Sequence, residues 1–168
     1  GNAVFSPSKE TVVISDRVFS ENLKYSSAEL VHELEKLLEA RVIIIPSLRL
    51  DMTGHADGMV RFVDENTAVG NASRSLFGLE AHIKSALRSH GIEVIDFPYF
   101  DSKGDSAVGC YLNFLETKQA IFLPIFDVEA DSLALATAKS IFQKPIIPVN
   151  INEIAVKGGL LNCISWED

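Results

Sequence analysis

Cysteine, positive charge and long apolar runs are all scarce in this sequence, and each shortage removes a class of protein. The two cysteines, Cys110 and Cys163, stand too far apart for a C-x-x-C metal pair and are too few for a disulfide framework. A reducing, cytoplasmic setting is therefore expected. No run approaches the roughly 18 apolar residues of a membrane helix. Val42 to Pro46 has the length of a strand. Cations number 15 Lys and Arg against 23 Asp and Glu, a formal charge of -8. A nucleic-acid surface needs clustered cations to neutralise phosphates, so that class is disfavoured, whereas a small cationic ligand is compatible.

What the sequence has in quantity is apolar residues, 47% against 23% charged, over a length that supports one domain with a sizeable core. Their order repeats. Ala3 to Ser6, a turn at Pro7-Ser8-Lys9 and Thr11 to Ile14 read as a hairpin. Ser26 and Glu29 have capping-box spacing, and Leu30, Leu34, Leu37 and Leu38 recur on one face of the helix that follows. Arg41 to Ile45, rich in β-branched residues, supplies a buried strand. The order returns as Met59 to Val63, a turn at Asp64-Glu65-Asn66, Thr67 to Val69, a helix near Leu76 to His90 closed by Gly91, and Ile92 to Ile95. It returns again as Tyr111 to Leu115, a turn at Glu116-Thr117-Lys118, Ala120 to Leu123, a helix near Val128 to Phe142, and Pro145 to Val149. Leu160 to Ile164 reads as the opening strand of a fourth copy. The repeat units are approximately 1–50, 51–105, 106–155 and 156–168, the size of supersecondary units stacked on one another. A solenoid has a similar period, but its copies would share more identity and carry capping ends.

His55 and Asp57 alternate just ahead of the second unit, and in extended backbone they would project to one side. Cys163 follows the pair Gly158-Gly159, which lets backbone approach a ligand closely. Cysteine, histidine and a carboxylate together suit nucleophilic attack at a planar carbon. Taken singly, each has a plainer reading, the cysteine as a small buried hydrophobe and the histidine as an ordinary hydrogen-bonded residue. His32, His82 and His90 fall in predicted helices and, with Cys110, are read as structural.

Five stretches carry a resemblance, and they come in order along nearly the whole chain. They are Gly1-Asn2 leading into Ala3-Val4, Gly54-His55-Ala56-Asp57-Gly58, Tyr111-Leu112-Asn113-Phe114, Leu123-Pro124-Ile125-Phe126, and Gly158-Gly159 leading to Cys163. Together they resemble the agmatine and bacterial peptidyl-arginine deiminases of the guanidine-modifying pentein superfamily. The resemblance implies an α/β fold, a partial α/β propeller of three hairpin-helix-strand repeats plus the opening strand of a fourth. The 168 residues would form the C-terminal part of a single deiminase catalytic domain. It also implies hydrolysis of a small cationic guanidino substrate through a covalent amidino-cysteine, with no metal or organic cofactor. Agmatine would yield N-carbamoylputrescine and ammonia, and peptidyl-arginine would yield citrulline. By this resemblance Cys163 is the nucleophile, His55 the general acid and base, Asp57 a carboxylate that holds the guanidinium, and Asn113 an asparagine of the substrate site. Asp51 either orients His55 or caps a turn.

The sequence departs from the family pattern at three places. Two further acidic residues of the family, one in an Arg-Asp segment and one before Gly-Gly-Asn, are absent, so Gly1 reads as an interior position of a longer protein. Asn162 stands where the family commonly has His, and in a strand it would face away from the thiol. Ser165-Trp166-Glu167-Asp168 replaces a Thr-Gln-Gln pattern, which leaves the substrate open. An arginine-directed hydrolase or amidinotransferase, and a non-catalytic propeller-type binding module, are the competing readings. An unclosed array of sheets exposes apolar edges, so the isolated 168 residues are expected to form homo-oligomers or aggregates. Light scattering at high concentration checks this, and a clean monomer would contradict it.

Overall fold

A computed structural model describes residues 1–47, 54–72, 78–100, 102 and 106–165. The chain divides into two compact units, one of Gly1–Gly70 with Leu76–Ile95, the other of Asn71–Ser75 with Asp96–Asp168. Among the described residues no helix is long and apolar enough to cross a membrane.

In the first unit β1 (Ala3–Phe5) and β2 (Thr11–Ser15) pair as an antiparallel hairpin. Two helices follow, α1 (Arg17–Glu21) and α2 (Ser27–Leu38), before β3 (Arg41–Ile45) returns parallel to β2 along its full length. The expected capping box starts α2: the Ser26 hydroxyl accepts the Glu29 N–H, and the Glu29 carboxylate accepts the Ser26 N–H at 2.9 Å. The Ser26 hydroxyl, then its N–H, holds the Glu29 carboxyl below its ordinary value. That contribution is present above the ordinary carboxylate range and is lost as pH falls through the lowered value.

β2 lies between β1 and β3 and is buried at every residue. Val12, Ile14 and Val42 pack toward Val31, Leu34 and Leu38 of α2. Val13, with Val4, Ile43 and Ile45, packs on the opposite side with Phe62, Ile83 and Leu87. A strand covered on both faces must be apolar without alternation, which explains the run Val12-Val13-Ile14. Leu37 was expected on the apolar face of α2 but is 77% exposed. The 3.6-residue period turns Val31, Leu34 and Leu38 inward and leaves Leu37 outside.

A single 3-10 turn, Ala56–Gly58, leads into the second sheet. Its strands are β4 (Val60–Phe62), β5 (Thr67–Asn71) and, after α3 (Leu79–Arg88), β6 (Glu93–Phe97), in that spatial order. The Asp64 carboxylate accepts the Asn66 N–H at 2.8 Å and so shapes the β4-β5 turn. The Glu65 carboxylate accepts both the N–H and the hydroxyl of Ser8, at 2.6 and 2.8 Å, which joins the tips of the two hairpins.

The second unit holds a third sheet of β7 (Leu115–Glu116), β8 (Ile121–Ile125) and β9 (Ile146–Asn150), with α4 (Ala130–Ile141) between β8 and β9 and α5 (Asn152–Ala155) after them. β7 is antiparallel and β9 parallel to β8, as in the first sheet. The strand expected over Tyr111 to Leu115 shrinks to Leu115–Glu116: Tyr111, Leu112, Asn113 and Phe114 are all buried, and the Asn113 carbonyl accepts the Asn162 N–H. Their side chains build the core instead. The Tyr111 ring meets Phe126 at 5.2 Å between centroids, and Phe114 meets Phe142 edge-on at 5.3 Å. The short helices α1 and α5 have no counterpart in the sequence reading, since a turn or two of helix leaves too little periodicity to detect.

Asp131, in the first turn of α4, closes this core. Its carboxylate accepts the Tyr111 hydroxyl at 2.7 Å and the N–H groups of Phe126 and Val128 at 3.1 and 3.0 Å. Burial, then the bond to Asp131 and its charge, pushes the Tyr111 hydroxyl well above its ordinary range, so it stays a donor. Asp131→Ala, which strands three donors, is expected to cost about 3 kcal/mol, and Tyr111→Phe, which removes one, about 1 kcal/mol. Urea unfolding measures both. Equal losses would mean that the backbone contacts of Asp131 contribute nothing.

Candidate active site

The candidate residues fall into two groups, each built within its own unit. In the first unit His55 sits in extended backbone at the entrance to the 3-10 turn, and Asp57 lies inside that turn. The extended backbone on which their same-side alternation depended is therefore not found, because the chain coils between them. Asp57 is buried, while His55 is half-buried. Two backbone N–H groups of the turn are taken by the start of the chain. Asn2 Oδ1 accepts the Ala56 N–H at 3.2 Å, and the Gly1 carbonyl accepts the Asp57 N–H at 3.1 Å. Asn2 Oδ1 also accepts the Ser15 N–H at 3.0 Å, at the end of β2. The His55 imidazole lies against Gly1 so closely that a β-carbon there would overlap Nδ1. Asp51 lies outside the described residues, as do Trp166, Glu167 and Asp168.

In the second unit the chain leaves α5 through Gly158, whose φ of 84° is in the left-handed region that favours glycine. Buried Leu160 then anchors the segment. Residues 161–164 form a turn, closed by bonds from the Ile164 N–H to the Leu160 carbonyl at 3.3 Å and from the Ser165 N–H to the Asn162 carbonyl at 3.3 Å. The fourth opening strand expected at Leu160 to Ile164 is thus replaced by a turn. The reason lies in Asn113. Its Oδ1 accepts the N–H groups of Asn162 and Cys163 at 3.1 and 3.2 Å, and its backbone carbonyl accepts the Asn162 N–H at 3.2 Å. Backbone groups gathered onto one side chain are not available to a strand partner. The Asn162 side chain accordingly has no strand face on which to point away from the thiol.

Cys163 is exposed, and its thiol donates to Asn113 Oδ1 at 3.3 Å. Because that oxygen also receives two backbone N–H groups, the orientation of the Asn113 amide is settled by its surroundings. Asn113, 3% exposed, holds the turn rather than standing open to solvent. Cys110 is half-buried, and His32, His82 and His90 lie in or just after helices, apart from both groups in sequence and element. The role of Asn2 was not legible beyond its place in the Gly1-Asn2 motif. An asparagine just ahead of a strand was the available signal.

These sheets have the α/β fold of solved deiminases. A cysteine-to-serine variant of the C. jejuni agmatine deiminase with substrate bound superposes with a TM-score of 0.78 at 18% identity, over 97% of this chain and 53% of that one. A Porphyromonas gingivalis protein assigned as an arginine deiminase gives 0.82 at 24% identity, over 97% and 54%. The model of the Porphyromonas-type peptidyl-arginine deiminases matches residues 1–168, and the chain belongs to that family. In sequence it is 35% identical over 66 residues to an Enterococcus faecalis protein assigned as an agmatine deiminase, a stretch of 39% of this chain and 18% of that protein. The chain spans about half the length of the solved chains it matches.

If Asn113 holds the cysteine turn, Asn113→Ala should raise amide hydrogen exchange at Asn162 and Cys163 by at least about tenfold, leaving β8 unchanged. Unaltered exchange at those two amides would assign the turn to other contacts.

Proposed function

We propose that this chain contributes the nucleophile and the proton-transfer group of an enzyme that hydrolyses a guanidino group, converting agmatine to N-carbamoylputrescine and ammonia or peptidyl-arginine to citrulline. The observation that carries this reading is the exposed thiol of Cys163 on a turn built by Asn113, in a chain of the deiminase family. The capture of substrate by a cysteine-to-serine agmatine deiminase supports a cysteine as the reacting group.

A guanidinium carbon is a poor electrophile because its charge is delocalised, so the reaction needs a held cation and a strong nucleophile. Cys163 attacks that carbon as the thiolate, and the resulting tetrahedral adduct expels ammonia as His55 donates a proton to the departing nitrogen. This leaves an amidino group bonded to sulfur. Water then attacks the same carbon, His55 takes its proton, and the carbon-sulfur bond breaks to give the ureido product and free thiol. Asp57 accepts paired hydrogen bonds from the guanidinium, and its burial strengthens that attraction. Asn113 keeps the sulfur in place through its Oδ1, and its assignment to the substrate site rests on the family resemblance. Asp51 is assigned to orient His55 or cap the turn before it.

The test uses the natural polypeptide that carries this chain, with agmatine and an arginine peptide as alternative substrates. Cys163→Ala should lower turnover at least about 1000-fold, with mass spectrometry of the unmodified protein showing an amidino adduct on Cys163. Near-normal turnover by Cys163→Ala would end the covalent reading. Product formed from an added amine in place of water would make the protein an amidinotransferase.

A further inference from the structure

Asn2 takes no part in the chemistry above, yet the His55 turn is built on it. A 3-10 turn leaves its first N–H groups without partners of its own. Here the N–H of Ala56, the residue after His55, goes to Asn2 Oδ1, and the next, of Asp57, goes to the Gly1 carbonyl. The same Asn2 oxygen receives the Ser15 N–H, so it joins the turn to β2, a strand with no exposed residue. The ring is placed by the same dipeptide, since the imidazole rests on the α-carbon of Gly1 with no room for a side chain between. The height of the His55 backbone and the tilt of its ring are thus both referred to Gly1-Asn2, more than 50 residues earlier in the chain.

We propose that Asn2 is a positioning residue for His55, acting through the Ala56 N–H, with Gly1 as the seat of the imidazole. The inference rests on His55 being the proton-transfer group. An asparagine suits the post because one carbonyl oxygen can accept two N–H groups that a strand and a turn bring together from different directions. Placement of a proton-transfer group matters to the rate because displacement by about 1 Å can cost up to about 100-fold.

The experiment compares Asn2→Ala, Asn2→Asp and Gly1→Ala with the unmodified protein in its natural polypeptide. It reads kcat and KM on whichever of agmatine or an arginine peptide is turned over, the thermal midpoint, and the NMR resonances of the His55 imidazole. Asn2→Ala should lower kcat by at least about tenfold while KM changes by less than about threefold, with shifted His55 resonances. Asn2→Asp, which keeps an oxygen at the same place, should recover most of the rate. Gly1→Ala should shift the resonances and lower kcat without touching either bond of Asn2, so it and Asn2→Asp decide the matter if Asn2→Ala does not fold. Unshifted His55 resonances in Asn2→Ala and Gly1→Ala would overturn the proposal, as would losses that follow the thermal midpoint alone and that Asn2→Asp fails to restore. His55→Ala separates this from the functional reading. If that variant keeps turnover, His55 is not the proton-transfer group, and the imidazole resonances still decide whether Asn2 places the ring.

Discussion

A backbone N–H that leaves regular structure must find an acceptor, and at both candidate turns the acceptor is an asparagine side chain. Asn2 Oδ1 takes the N–H that follows His55, and Asn113 Oδ1 takes the N–H groups of Asn162 and Cys163. Main-chain carbonyls assist at both: that of Gly1 takes the next N–H of its turn, from Asp57, and that of Asn113 shares the Asn162 N–H with the side chain. Turns without such acceptors would either expose their amides to water or extend to pair with a strand. Neither alternative would hold a histidine ring or a thiol in one place.

The asparagines can serve as fixed points because the residues around them are locked in a core. Asn2 borders β1, whose Val4 is buried, and bonds across to the end of β2, which is covered on both faces. Asn113 stands between fully buried Leu112 and Phe114, two residues after Tyr111, whose hydroxyl is tied to Asp131. Close packing makes such positions stiff, and a displacement there would open voids among several side chains at once. Rigidity thus passes from core to asparagine to turn by contacts within each unit.

The two groups differ in what they show to solvent, and the difference suits the tasks assigned to them. Cys163 is exposed, as a residue that must reach an incoming carbon has to be. Asp57 is buried, where a carboxylate is costly unless it is well hydrogen-bonded, and where its attraction for a cation is less screened by water. Membership of the deiminase family sets the chemistry against which these placements make sense.

Much of the fold was legible because its signals are local. Alternation, a capping box at Ser26 and Glu29, and β-branched runs such as Arg41 to Ile45 act over a few residues, and the structure has β1 and β3 within a residue of where they were expected and α2 starting at its capping box. The motifs containing His55, Asp57 and Cys163 were readable for a different reason, a family likeness in short ordered stretches. Local signals misled wherever a distant partner outweighed them. Tyr111 to Leu115 has strand composition, but the Asn113 carbonyl and side chain are engaged by the N–H groups of Asn162 and Cys163. Leu160 to Ile164 also has strand composition, and there a side chain 50 residues earlier draws its amides into a turn. The sequence by itself determined the order of the elements and the kinds of reactive group they carry. Only the tertiary structure decided how those groups are held, because the oxygens that hold them come from asparagines roughly 50 residues away, beyond the range of any local pattern.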